Sequence, residues 1–128
     1  MPQPTSLPET PMLVACLCAQ WCGTCNDYRS LFDALALKFP QVRLLWIDVE
    51  DQSDVVDPVE VEDFPTILIA SREHPLFFGT VLPHIQTLQR LIEAHWGGDS
   101  KALTENADVQ TLVDRLWRLE ADSALLRP

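Results

Sequence analysis

The stretch CLCAQWCGTC, Cys16 to Cys25, holds all four cysteines of a 128-residue chain within ten positions. Its surroundings decide how it is read. Met12 to Ala19 is an unbroken apolar run, as expected of a strand buried on both faces of a sheet. From Cys22 onward Tyr28, Leu31, Phe32, Leu35 and Phe39 recur at helical spacing until Pro40 ends the pattern. Val42 to Val49 then reads as a second buried strand, and strand, helix and strand in that order favour a right-handed parallel unit. The cysteines therefore fall where a strand ends and a helix begins.

A Cys-x-x-Cys pair at a helix start has a direct chemical use. The unpaired backbone N–H groups and the helix dipole favour a thiolate there. Cys22 is thus the candidate nucleophile towards a disulfide, and Cys25, one turn further on, the candidate resolving thiol. Cys16 and Cys18 flank Leu17 on the strand and point to one face, beneath Cys25. They read first as small apolar core residues, while two other readings stay open: accessory redox thiols trapping an alternative disulfide, or ligands in a four-cysteine metal site. Strand geometry opposes the last, because Cys16 and Cys18 fixed in a sheet cannot converge with Cys22 and Cys25 on one ion. No metal is expected.

The rest of the chain completes one unit and adds a helix. Asp48 to Asp63 carries eight acids and no base, reads as a solvated face, and holds a short helix or turns. Phe64 to Ala70 is a third strand opening at Pro65, where a missing N–H does little harm. Leu76 to Val81, after a polar turn, is an antiparallel fourth strand. Leu82-Pro83 opens a helix striped by Ile85, Leu88, Leu91, Ile92 and Trp96 and stopped by Gly97-Gly98. These patterns divide the chain into a flexible segment (1–11), a domain (12–97), a linker (98–107) and an amphipathic helix (108–126) that packs on the domain or on a partner.

Composition narrows the function. A net charge of −10, from nine basic and nineteen acidic residues, lacks the basic footprint that nucleic acid requires. No apolar run approaches the ~20 residues of a membrane span. Leu13-Val14-Ala15-Cys16 superficially matches a lipoprotein cleavage box, but MPQPTSLPETP has no basic residue and four prolines, unlike an export signal. The expected compartment is the cytoplasm, where clustered cysteines are more often catalytic or metal-binding than structural. His74, His84 and His95 read as surface residues, with no acid spaced to orient them as bases.

Trp21-Cys22-Gly23-Thr24-Cys25 after a buried strand, with Phe64-Pro65-Thr66 opening a later one, resembles the thioredoxin superfamily over roughly residues 12–96. The resemblance implies an α/β thioredoxin-like fold with a mixed sheet of about four strands, β-α-β then β-β-α. It implies a protein thiol–disulfide oxidoreductase, most simply a disulfide reductase in cell redox homeostasis, working through Cys22 and Cys25 without a cofactor. Pro65 would be cis, and Phe64, Pro65 and Thr66 together with Trp21, Gly23 and Thr24 would contact the substrate. Partners would be protein disulfide or dithiol clients and an external reductase.

This chain departs from the family pattern in three places. Residues 1–11 are too few for the strand and helix that usually come first, so strand 42–49 would lie at a sheet edge and, like the C-terminal helix, is a candidate homodimer surface. Thr24 replaces the usual proline, which implies a less reducing pair. Cys16 and Leu44 stand where the family has a buried carboxylate and its lysine. The alternative to the enzyme is a thioredoxin-shaped adaptor or chaperone that binds a partner through the Pro65 face and the acidic segment.

Overall fold

The computed structural model describes residues 12–39, 42–57, 59, 61–71, 74–95 and 107–126, with side chains to residue 119. Four strands form one mixed sheet in the order β2-β1-β3-β4: β1 (Met12–Cys18), β2 (Val42–Asp48), β3 (Thr66–Ser71) and β4 (Pro75–Thr80). β1 pairs parallel with β2 from Met12↔Val42 to Cys18↔Asp48 and antiparallel with β3 from Met12↔Ser71 to Leu17↔Thr66. β3 pairs antiparallel with β4, with an irregularity at Ile69/Ala70. The fold is the α/β thioredoxin-like one expected from the sequence. Among the described residues β2 lies at the edge of the sheet.

Alternation along β1 sorts its side chains onto two faces. Met12, Val14, Cys16 and Cys18 pack in one apolar cluster with Cys25, Tyr28, Phe32 and Leu35 of α1 (Gly23–Leu35). Leu88 and Ile92 of the helix Ile85–His95 complete that face. Leu13, Ala15 and Leu17 pack on the opposite face with Val109, Leu112, Val113 and Leu116 of the last helix, Ala107–Leu126. A four-residue helix, Ser53–Val56, contributes Val56 to the same cluster. In chain order these helices are α1, α2 (Ser53–Val56), α3 (Ile85–His95) and α4 (Ala107–Leu126).

Polar contacts fasten α4 as well. Arg115 Nη1 donates to the carbonyls of Asp54 and Val55 at 3.1 Å each and to that of Asp57, satisfying acceptors that so short a helix leaves unpaired. Trp117 Nε1 donates to the Ser71 carbonyl at 2.9 Å.

Several boundaries differ from the sequence reading for local reasons. β3 begins at Thr66, because Pro65 has no N–H to enter the ladder and follows a cis bond from Phe64. α3 begins at Ile85, two residues beyond Pro83. Leu31, placed on the buried stripe of α1 by its spacing, is 45% exposed, and Tyr28, Phe32 and Leu35 carry the packing instead. The flexible segment 1–11 and most of the linker 98–107 lie outside the described residues, as does Trp96.

Candidate functional site

The site forms where β1 ends. After Cys18 the chain makes one tight turn, closed by Cys22 N–H donating to the Ala19 carbonyl at 3.0 Å, and enters α1 with Cys22 as N-cap. No side chain caps the helix and its first turn has no acid, so nothing competes for the free N–H groups at that end. Cys22 is a free, half-buried thiol. Gly23 is the first residue of α1, and a Cβ there would meet nothing within 4 Å. Its role is therefore to leave the approach to Cys22 bare. The tight turn before the helix is made by Ala19 to Cys22.

Cys25 points inward, fully buried, and is joined to Cys18 by a disulfide across a Cα–Cα distance of 5.9 Å. The resemblance pairs Cys25 with Cys22; the structure pairs it with Cys18. The reason is geometric, since the last residue of β1 lies directly beneath the first turn of α1, within the Cα range that a disulfide spans. Cys16 Sγ lies 3.7 Å from Cys18 Sγ. With Cys18 oxidised, only the Cys16 thiol has a proton to donate in that contact. Burial pushes the Cys16 thiol far above its ordinary range, so it stays neutral.

Tyr28, one turn beyond Cys25, was legible in sequence only as part of an apolar stripe. Its hydroxyl is buried with no hydrogen-bond partner among the described residues. Burial, and then the nearby Cys16, push its phenol well up. Cys16 and Leu44 fall in one apolar cluster under α1, so the place of the carboxylate and lysine is apolar here apart from this phenol and thiol.

Around Cys22 lies an exposed aromatic surface. Trp21 is 67% exposed and meets Phe64 edge-on, ring centroids 5.6 Å apart. Phe64 precedes cis Pro65, and Val81 N–H donates to the Pro65 carbonyl at 3.1 Å. Thr66 is buried, its hydroxyl donating to the Asp63 carbonyl at 2.7 Å. The structure thus brings Trp21, Cys22 and Phe64 to one edge and leaves Thr24 exposed on the outer side of α1. Thr66 is buried at the start of β3, held by Asp63 rather than turned outward.

Asp48, read in the sequence only as one of a run of acids, buttresses this edge. Its Oδ1 accepts from Glu50 N–H at 2.9 Å and from Asp51 N–H at 3.1 Å. Bonds from the Asp51, Glu50 and Gln20 N–H groups hold its carboxyl below the ordinary 3.8, against a smaller opposing effect of burial. Val49 N–H donates to the Cys18 carbonyl at 2.8 Å, so the turn after β2 is fastened to the strand end that carries the disulfide. An acid closing a strand just before a turn is the signal that marks Asp48. Among the described residues no group of three or more His, Cys, Asp or Glu side chains is placed to hold a metal ion.

A family model, Thioredoxin, matches residues 5–81. The chain belongs to the thioredoxin family. A thioredoxin H-type from Fagopyrum esculentum is 36% identical over 58 residues, 45% of this chain and 50% of that protein. Thioredoxin H-type 2 from Nicotiana tabacum is 31% identical over 91 residues, 71% and 76% of the two chains. The chain spans about half the length of several other curated thioredoxins it matches, 49% and 52% in two cases. Among solved structures, the thioredoxin NaTrxh of Nicotiana alata superposes with a TM-score of 0.60 at 27% identity, covering 66% of this chain and 73% of that one. Fasciola hepatica thioredoxin gives 0.61 at 24% identity, with coverages of 66% and 81%. A complex of ferredoxin:thioredoxin reductase with thioredoxin f2 gives 0.59 at 21%, with coverages of 66% and 76%. In this thioredoxin-family chain two strand cysteines, Cys16 and Cys18, lie beneath the helix start that carries Cys22 and Cys25.

Proposed function

We propose that this chain is a protein thiol–disulfide oxidoreductase in which Cys22 attacks a client disulfide and Cys25 resolves the mixed disulfide. The observation that carries this reading is Cys22 itself, a free and partly exposed thiol capping an otherwise uncapped helix N-terminus. Attack by Cys22 forms a bond to one client sulfur and releases the other as a thiolate. Cys25 then attacks Cys22, and the second client thiolate leaves. Trp21 and Phe64 form the apolar edge on which the client chain lies, backed by the buried cis Pro65, with Gly23 giving access.

Belonging to the thioredoxin family supports disulfide reduction as the direction, with an external reductase as electron donor and the cytoplasm as compartment. The complex of thioredoxin f2 with its reductase supports such a donor as a class. We further assign residues 12–97 to the exchange domain and the β2 edge to pairing between copies. Limited proteolysis and sedimentation check those two assignments.

The direct test is reduction of insulin disulfides by the purified chain with dithiothreitol. Cys22→Ser abolishes the catalysed rate, and Cys25→Ser accumulates a mixed disulfide at Cys22. An unchanged rate in Cys22→Ser overturns the assignment and leaves a binding module without exchange chemistry.

A further inference from the structure

We propose that Cys18 displaces Cys22 from Cys25 after the site is oxidised, so that the oxidised protein keeps a free nucleophile at Cys22 and acts as a disulfide isomerase. This inference rests on the thiol-exchange reading above and extends it to a second class of client, proteins with misplaced disulfides.

The argument begins with the choice open to Cys25. It has one cysteine a helical turn before it, Cys22, and another beneath it at a Cα–Cα distance of 5.9 Å, Cys18. The structure holds the second bond and leaves Cys22 as a thiol. Cys18 and Cys25 are both fully buried, whereas Cys22 stands at the helix end. Moving the bond inward puts an apolar disulfide in the core and returns the polar thiol to the surface. A buried group costs least when it has no proton to donate.

The step balances without a further reactant. Reduction of a client leaves Cys22 bonded to Cys25, the client disulfide having served as oxidant. The Cys18 thiolate attacks Cys25 Sγ, the Cys18–Cys25 bond forms, the Cys22–Cys25 bond breaks, and the Cys22 thiolate takes up the proton that Cys18 gave up. The number of thiols and disulfides is unchanged.

The consequence is a change in what the site can do. With Cys25 engaged, a mixed disulfide formed at Cys22 cannot be resolved from within the protein. It persists until another thiolate of the same client attacks the client sulfur, forming a new client disulfide and releasing Cys22. No net electrons pass, which is isomerisation. The exposed Trp21 beside Phe64 suits a client with apolar surface, as a misfolded protein has.

The reduced chain of 128 residues is treated with glutathione disulfide, quenched in acid and alkylated, and its links are assigned by tandem mass spectrometry. The expected product has Cys18 joined to Cys25 and Cys22 alkylated. A Cys22–Cys25 link with Cys18 alkylated overturns the inference. In parallel, the oxidised protein is incubated with disulfide-scrambled ribonuclease A without added thiol. Recovery of ribonuclease activity is expected from the wild type, and its loss from oxidised Cys18→Ala, in which the bond stays at Cys22. A wild type that reduces insulin but leaves scrambled ribonuclease inactive sinks the isomerase and spares the exchange reading; one that does neither sinks both. Should Cys18→Ala fail to fold, the link assignment in the wild type decides alone.

Discussion

The two faces of the sheet differ in what they bury. Beneath α1 and α3 the core holds Cys16, the Cys18–Cys25 disulfide and a Tyr28 hydroxyl without a partner among the described residues. Beneath α4 the buried set is entirely aliphatic, Leu13, Ala15, Leu17, Ile47, Val56, Val59, Leu68, Ala70, Val109, Leu112, Val113 and Leu116. Polar contacts on that side lie at its margin, where Arg115 and Trp117 reach backbone carbonyls. One face tolerates reactive and unsatisfied groups, and the other supplies the cohesion that offsets their cost. The two sets of side chains are separated by one strand's alternation.

That division can be broken most forcefully at Leu116. Truncation to Ala in a fully buried aliphatic cluster removes about 2–5 kcal/mol of stability. Thermal or urea unfolding measures it. Insulin reduction by the fraction still folded should hold at the wild-type rate, and a parallel fall in rate would show that the faces are not independent.

A smaller loss follows at the margin. Arg115→Met keeps the aliphatic stem but removes the donor to the Asp54, Val55 and Asp57 carbonyls. Bonds from a charged donor are worth about 1.5–3 kcal/mol, and partial exposure places the expected loss at the lower end. Chemical denaturation reads it, and amide exchange should locate the loosening at residues 53–57.

Tyr28→Phe sharpens the contrast from the other face, because it reverses the sign. It deletes a buried hydroxyl without a partner and leaves the ring, so stability should rise by about 1 kcal/mol. A fall of that size would show that the hydroxyl is satisfied by a group outside the described residues or by water.

The smallest effect is set by pH at Asp48. Its folded carboxyl lies below the ordinary 3.8, so the stability it contributes is fully present above that value. It is lost as pH falls through the folded value. Asp48→Asn should flatten the acid limb of a stability-against-pH curve while leaving the plateau near neutrality little changed.

Much of this architecture was legible in the chain. The continuous apolar run from Met12 reads as a strand covered on both faces, and the spacing of Tyr28, Phe32 and Leu35 as one side of a helix, and both are seen. The pairing of sulfurs was left open, because Cys22 lies three residues and Cys18 seven residues from Cys25, and spacing alone does not say which of the two sits within bonding depth. So was the part played by Asp48, whose partners are backbone groups that carry no side-chain signature.

Sequence by itself determined the strands, the helices and the location of the thiols at the strand-to-helix junction, since periodicity and turn chemistry are local properties. It also sorted the β1 side chains into two alternating sets, because successive side chains of a strand point to opposite faces. Only the tertiary structure decided that Cys25 bonds to Cys18, that α4 covers the aliphatic face and that Trp21 meets Phe64 across the cis-proline loop. Those contacts join segments far apart along the chain or at different depths, and they are set by packing of whole elements, which no local pattern encodes.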